Sequence, residues 1–342
     1  MPPIYLIMTT GRTGSDYLHG CLDGLDSVMS ICGKFEYHSF LEKNNEIKDN
    51  KILIEKFIYE NKKLFSYDNI EDIDTKVDME KFKNFFLNLS DKVKLSRKDF
   101  FLNIYKSYNL TINKNLKNMR ALVHHSHGLT NTKKCLIDFP NAKLLITIRD
   151  PRANLKSGLE NWFCYDYKKR NMEHIYLYIK RIREDLKFGL KIKNEKLFVK
   201  LENAGELNTK KSICNFLSIP YDEKIETATF NSIPWKGDSL SQIKSKNGKY
   251  NNEVQNNNWE NYFLEREIRI LNLLYKDYRK FGYKIKKYNN FDRFKISLSI
   301  FTYSNFVKFD NKENLRLSNI FKNIFYYFKK IIYILSVILL FR

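Results

Sequence analysis

The first apolar cluster is an unbroken run, Ile4-Tyr5-Leu6-Ile7-Met8. A glycine-punctuated stretch follows, and then Tyr17, Leu18, Cys21, Leu22 and Leu25 at helical spacing. A continuous apolar run of strand length fits a strand buried on both faces, and recurrence at three and four residues fits one helix face. The alternation returns later: strand runs stand at Ala121-Leu122-Val123, at 143–148 and at 197–201, with helical stretches at 129–138, 152–162 and 206–217. Strands alternating with helices predict an α/β fold, a mainly parallel central sheet flanked by helices. From 43 to 120 the sequence turns Lys/Asn-rich, with Phe82, Phe85, Phe86 and Leu89, then Phe101, Ile104, Tyr105 and Tyr108, each set fitting a helix face. It reads as a helical insertion resting on the core. Residues 231–258 read as a long polar loop and 259–281 as one long helix. Residues 288–342 read as a basic, aromatic and finally apolar helical tail.

Composition narrows the class. A chain of 342 residues, 43% hydrophobic and 29% charged, has the core residues for one large domain or two small ones, which excludes a disordered chain. Twelve glycines and six prolines exclude a collagenous one. The five cysteines (Cys21, Cys32, Cys135, Cys164, Cys214) include no CxxC pair, which speaks against a disulfide scaffold and a structural zinc site and for a reducing compartment. Residues 1–10 lack a basic start before a long apolar stretch, so no secretory signal and a cytoplasmic location are expected.

The charge is uneven. Of a formal net +21, +11 falls in residues 276–342, which carry 15 Lys+Arg and 4 Asp+Glu. Such an excess favours anionic partners, whether nucleic acid, an acidic membrane surface or a phosphorylated ligand. The apolar terminus, 331–341, spans 11 residues, against the ~20 a bilayer requires. Extending it to 321 would enclose Lys322, Lys329 and Lys330, so peripheral membrane contact is the expectation rather than a span.

The strongest chemical segment is Thr9-Thr10-Gly11-Arg12-Thr13-Gly14-Ser15-Asp16-Tyr17, directly after the first strand. A glycine turn there lets main-chain N–H groups converge on an anion, with the following helix adding its positive end. Arg12 adds a fixed charge and a bidentate fork, and Thr13 and Ser15 add hydroxyls. The spacing and the lysine of GxxxxGK[ST] are missing, so the turn suits a phosphate better than metal-assisted triphosphate cleavage. The second segment is Arg149-Asp150-Pro151-Arg152-Ala153-Asn154-Leu155-Lys156-Ser157. It sets Arg149 at a strand's carboxyl edge, Pro151 at a helix start and Ser157 two turns along that helix. Alone, either segment also reads as ordinary scaffolding.

Together, GRTGSDYL (11–18) and RDPRANLKS (149–157) resemble the nucleotide-binding signatures of the sulfotransferase family, whose sulfonate donor is 3'-phosphoadenylyl sulfate (PAPS). FPNAK (139–143), FVKLENA (198–204) and the region from Gly248 to the Gly282-Tyr283 pair are weaker echoes. The resemblance covers roughly residues 1–40 and 120–285 and implies a P-loop-like sulfotransferase domain over 1–287, with 43–120 on the acceptor side. It implies that Arg12, Thr13, Gly14 and Ser15, in one segment with Asp16 and Tyr17, hold the 5'-phosphosulfate, and that Arg149 and Ser157 hold the 3'-phosphate. Lys246, Gly248 and Lys249 would belong to a loop covering the nucleotide. A carboxylate beside a phosphate is unfavourable, so Asp16 is expected to turn away.

Glu36, just after the first helix, matches the glutamate base of some family members. Its neighbours Phe35 and Tyr37 would bury it and raise its pKa. His125 and His127, in His124-His125-Ser126-His127, are the alternative base or acceptor contacts, and Arg12 would steady the leaving phosphate. The implied reaction moves sulfonate to a hydroxyl or amine, on a glycan, a lipid-linked saccharide or another hydroxyl compound. It releases adenosine 3',5'-bisphosphate and requires no metal. A basic nucleic-acid-binding protein or a P-loop-type kinase are the other readings of the same turn. Nucleic acid is the weaker of these, since no groove-entering helix or stacking platform is evident.

Overall fold

The first apolar run forms β1 (Ile4–Met8), buried along its whole length. Around it stand β2 (Val28–Met29), β3 (Ala121–His125), β4 (Lys143–Ile148) and β5 (Lys196–Lys200), in the order β2-β3-β1-β4-β5 with every pair parallel. The expected parallel α/β sheet is therefore present. The computed structural model describes residues 1–31, 33–65, 77–90, 95–165, 172–231, 233–235, 237, 247–254, 258–298 and 317–339.

Twelve α-helices lie among the described residues. They are α1 (Ser15–Asp23), α2 (Tyr37–Lys43), α3 (Asn50–Glu60), α4 (Met79–Asn88), α5 (Arg97–Thr111), α6 (Leu129–Asp138), α7 (Pro151–Tyr165), α8 (Met172–Lys191), α9 (Leu207–Leu217), α10 (Glu265–Leu274), α11 (Asn290–Leu298) and α12 (Leu317–Leu339). The chain divides into two compact units, Met1–Ile148 with Lys193–Val254, and Arg149–Ile192 with Gln255–Arg342.

In the first unit, Tyr5, Ile7, Val123 and Leu145 on one sheet face pack on Tyr17, Leu18 and Leu22 of α1 and on Ile213 and Leu217 of α9. The insertion builds an aromatic core of its own, with Phe57, Phe82, Phe86 and Phe100 fully buried. Its helices start on side-chain caps, Asp49 for α3, Asp78 for α4 and Ser96 for α5. Lys114 then ties this layer to the end of α1: its Nζ donates to the carbonyls of Asp23, Leu25 and Val28 at 2.7, 3.2 and 3.1 Å. A cation at a helix C-terminus also meets the negative end of the dipole.

In the second unit, α12 packs on α8, α10 and α11. Its Ile331, Ile334, Val337 and Ile338 are buried.

Three expectations need correction. First, β3 runs on to His125, so His124 and His125 belong to the strand and not to a loop after it. Second, the polar stretch after 228 contains a two-stranded hairpin, β6 (Thr229–Phe230) against β7 (Ile233–Pro234). Third, 259–281 is not one helix: α10 begins at Glu265 and a tighter 3-10 segment, Lys276–Phe281, follows it. The α10 start is fixed by Glu267, whose Oε2 accepts the Leu264 N–H at 2.8 Å.

Candidate functional site

Because β1 lies between β3 and β4, its carboxyl end opens where the connections part to opposite sides, the place at which open α/β sheets bind ligands. The glycine turn stands there. Its backbone is left-handed at Gly11 (φ 91°), Arg12 (φ 55°) and Gly14 (φ 78°), a conformation that gathers successive N–H groups into an anion-binding concavity. The turn is pinned from within. The Gly11 N–H donates to Thr9 Oγ1 at 2.9 Å, the Thr9 and Thr13 hydroxyls meet at 2.6 Å, and Thr13 bonds to Thr147 of β4 at 2.7 Å.

The Thr13 hydroxyl, expected to serve a ligand, thus also holds the turn to β4. Gly14 could not be another residue at low cost: besides its positive φ, a Cβ there would lie 2.3 Å from Leu201 Cδ1. Ser15, buried, opens α1 directly behind the turn, so the positive helix end adds to the field. Arg12 is half-buried. Tyr17 instead points into the core against Trp235 and Tyr250, ring centroids 6.5 and 5.4 Å away, and burial pushes its phenol pKa up.

In the first turn of α1, Asp16 faces a polar cluster. Its carboxylate pairs with Lys34 Nζ at 2.9 Å and lies 3.5 Å from His125 Nδ1. Burial pushes this carboxyl up, but the Lys34 ammonium outweighs it, with His127 and His19 contributing, and holds it below the ordinary range. The partner of Asp16 in this cluster is Lys34.

The strand alternation sends His124 and His125 to opposite faces. His124 lies among Phe35, Phe101 and Tyr105, its Nδ1 2.9 Å from the Tyr105 hydroxyl, and burial lowers its pKa to about 3. His125 faces α1, its ring 5.5 Å from those of His19 and His127, and burial holds it neutral, well below the usual value. His127, at φ 27°, sits in the turn before α6.

Glu36 belongs to the same cluster by another route. Asn131 Nδ2 donates to Glu36 Oε1 at 2.7 Å and reaches the His127 carbonyl at 3.4 Å, while Ser39 donates to Oε2 at 3.1 Å. The burial expected for Glu36 is absent: Phe35 and Tyr37 turn into the core and Glu36 is exposed. The structure thus gathers Asp16, His125, His127 and Glu36 on one edge of the first unit, with Lys34 and Asn131, which sequence reasoning missed. Pairing across more than 90 residues, as in Asn131–Glu36, leaves no local signal.

In the second unit, Arg149 follows β4 directly and is buried. Asp150 accepts the Arg152 N–H at 2.9 Å and so caps α7, with Pro151 opening it as expected. Ser157 is buried too, and Asn161 Nδ2 donates to its carbonyl at 2.8 Å and its Oγ at 3.3 Å. Arg152, which carried no expectation, holds this segment to the rest of the second unit. Its guanidinium bonds Asp150 (2.6 Å), Asn272 (3.0 Å) and the Lys284 carbonyl (3.0 Å), and lies 3.8 Å from the Trp259 ring centroid.

In the expected covering loop, Gly248 is built into the first unit, its N–H donating to Trp235 O at 3.0 Å and its carbonyl accepting from Ala228 at 2.8 Å. Lys249 is exposed. Lys246 lies outside the described residues.

Neither a family model nor a curated protein matches the chain. Among solved structures the fold is similar to the sulfotransferase domain from the Synechococcus PCC 7002 olefin synthase, at 15% identity and TM-score 0.49, covering 83% of this chain and 96% of that one. It is also similar to the sulfotransferase domain from the curacin biosynthetic pathway, at 14% identity and TM-score 0.42, over 74% of this chain and 89% of that one. A third is the sulfotransferase STF9 from Mycobacterium avium, at 13% identity and TM-score 0.36, over 66% of each chain.

Proposed function

We propose that the chain is a PAPS-dependent sulfotransferase. The observation that carries this reading is the left-handed turn at Gly11, Arg12 and Gly14 on the carboxyl end of the central strand, within the segment that resembles the family's 5'-phosphosulfate loop. Bound PAPS supplies a sulfonate activated by its bond to the 5'-phosphate. The turn's N–H groups and the Arg12 guanidinium would neutralise charge as it develops on that phosphate. Arg149 and Ser157, by the same resemblance, would take the 3'-phosphate and fix the nucleotide's register.

The acceptor's proton is the remaining task. Glu36 is exposed, and both of its oxygens are engaged by Asn131 and Ser39, a setting for an anchor rather than a base. His127, in the turn beside the same cluster, is the better-matched proton acceptor. Glu36 would hold the α6 entry in place through Asn131. As the acceptor oxygen bonds to sulfur, its proton would pass to the imidazole, and the S–O bond to the 5'-phosphate would break. Adenosine 3',5'-bisphosphate would then be released. The acceptor class we favour is a hydroxyl compound such as a glycan or lipid-linked saccharide.

Calorimetric titration with adenosine 3',5'-bisphosphate tests the donor site. Wild type should bind it, magnesium-ATP should not compete, and Arg149→Ala should weaken binding by about 1.5–3 kcal/mol, roughly 10- to 150-fold. A folded protein that ignores the bisphosphate, or that prefers magnesium-ATP, would return the kinase reading to the front.

A further inference from the structure

The helix α12 is apolar on two sides, and the fold uses only one of them. Ile331, Ile334, Val337 and Ile338 are buried. On the opposite side Phe321, Ile324, Phe325, Phe328 and Ile332 are 48–70% exposed. At 3.6 residues per turn these five fall within an arc of about 100°, a continuous stripe along three turns. The neighbouring α11 repeats the arrangement: Phe291, Phe294 and Leu298 are 55–65% exposed at spacings of three and four, while Ile296 is buried. Stripes of this kind on a soluble surface mark an interaction site rather than scattered apolar residues.

The cations beside the stripes indicate what covers them. Lys329 Nζ lies 4.5 Å from the Phe325 ring centroid, and Lys295 Nζ 4.3 Å from that of Phe291. Lys322 stands on the same flank of α12 as Lys329. Exposed rings with ammonium groups over their faces match a membrane interface, in which rings enter the acyl boundary and lysines stay level with anionic headgroups. A second copy of the chain is the poorer occupant. A two-fold contact would set these lysines against their own symmetry mates, in a segment carrying +11. Insertion across the bilayer is likewise disfavoured, since no described helix is long and apolar enough to cross a membrane.

We propose that the exposed faces of α11 and α12 seat the protein on an anionic lipid surface, with α12 lying in the plane of the interface. The test is flotation with phosphatidylcholine vesicles, with and without about one third phosphatidylglycerol, alongside light scattering of the free protein. Wild type should float with the anionic vesicles, poorly with neutral ones, and less at about 0.5 M salt. The triple change Phe325→Ser, Phe328→Ser and Ile332→Ser should lower partitioning at least ~10-fold. The pair Lys295→Glu and Lys329→Glu, which leaves the apolar stripe intact, should lower it about fivefold or more per lysine on anionic vesicles only. Two results would overturn the proposal. One is wild type that stays with buffer in the presence of anionic vesicles. The other is a wild-type dimer that the triple change converts to monomer, which would assign the stripe to a second copy.

Discussion

A single proton decides the roles of His127 and Glu36. Both belong to the cluster at the carboxyl edge of β1 and β3, yet their surroundings differ. Glu36 is exposed and its two oxygens accept hydrogen bonds from Asn131 and Ser39, a setting for an anchor. His127 occupies a left-handed turn, and backbone held in a sparsely populated region often aims a side chain at its task. On the proposed reading, His127→Asn should lower kcat by about 10²–10⁴, because the group that takes the acceptor's proton is gone. Glu36→Gln should cost less than ~10-fold and leave the pH profile in place. The measurement is bisphosphate release from PAPS with a panel of hydroxyl acceptors, followed from pH 5.5 to 9. A pH-dependent collapse in Glu36→Gln with His127→Asn near wild type would reverse the two roles.

At the scale of elements, α7 shows how a motif segment is held. Asp150 caps the helix and Arg152 locks it to Asn272, to the Lys284 carbonyl and to the Trp259 ring, all within the second unit. Lysine cannot reproduce the planar fork or the stacking, so Arg152→Lys gives up the bonds to Asn272 and the Lys284 carbonyl and the contact with the Trp259 ring inside a buried network. We expect a loss of about 2–4 kcal/mol, read as a lower denaturation midpoint with unchanged helical content in the native baseline. A change within experimental error would make these contacts incidental.

β1, β4 and α6 fall on the expected residues because strands covered on both faces leave unbroken apolar runs, and α6 ends where its helical spacing stops. The end of β3 was hidden because two histidines read as polar, although Phe35, Phe101 and Tyr105 bury one of them and α1 the other. β2 has two residues, too few for any period to show. The glycine turn was readable from its local sequence, two glycines directly after an apolar run. Arg152 was not, because Asn272 lies 120 residues away and Lys284 132.

The whole molecule carries a formal +21 and six histidines, and four of these, His19, His38, His124 and His125, are held below their ordinary pKa, in each case first by burial. The unfolded chain takes up these protons near pH ~6.5, while the folded chain refuses them until lower pH, about 3 for His124. Stability is therefore full above pH ~7 and falls as the pH drops below ~6.5, by ~1.4 kcal/mol per pH unit for each proton the unfolded state holds in excess. Asp16, lowered by Lys34, adds to the same trend further down, since its contribution is lost as pH falls from ~4 through its folded value. Denaturation midpoints at pH 7.5, 6.0 and 5.0 should decline steeply, and a flat series would mean that these rings are hydrated. Net charge alone also predicts acid weakening, through self-repulsion, but that part is screened when the Debye length shrinks to ~4 Å at about 0.5 M salt. Proton uptake by buried imidazoles is not screened in this way. A decline that persists in salt, and that is shallower in His124→Gln by up to one proton, assigns the acid sensitivity to the buried histidines; a decline that salt removes assigns it to the +21.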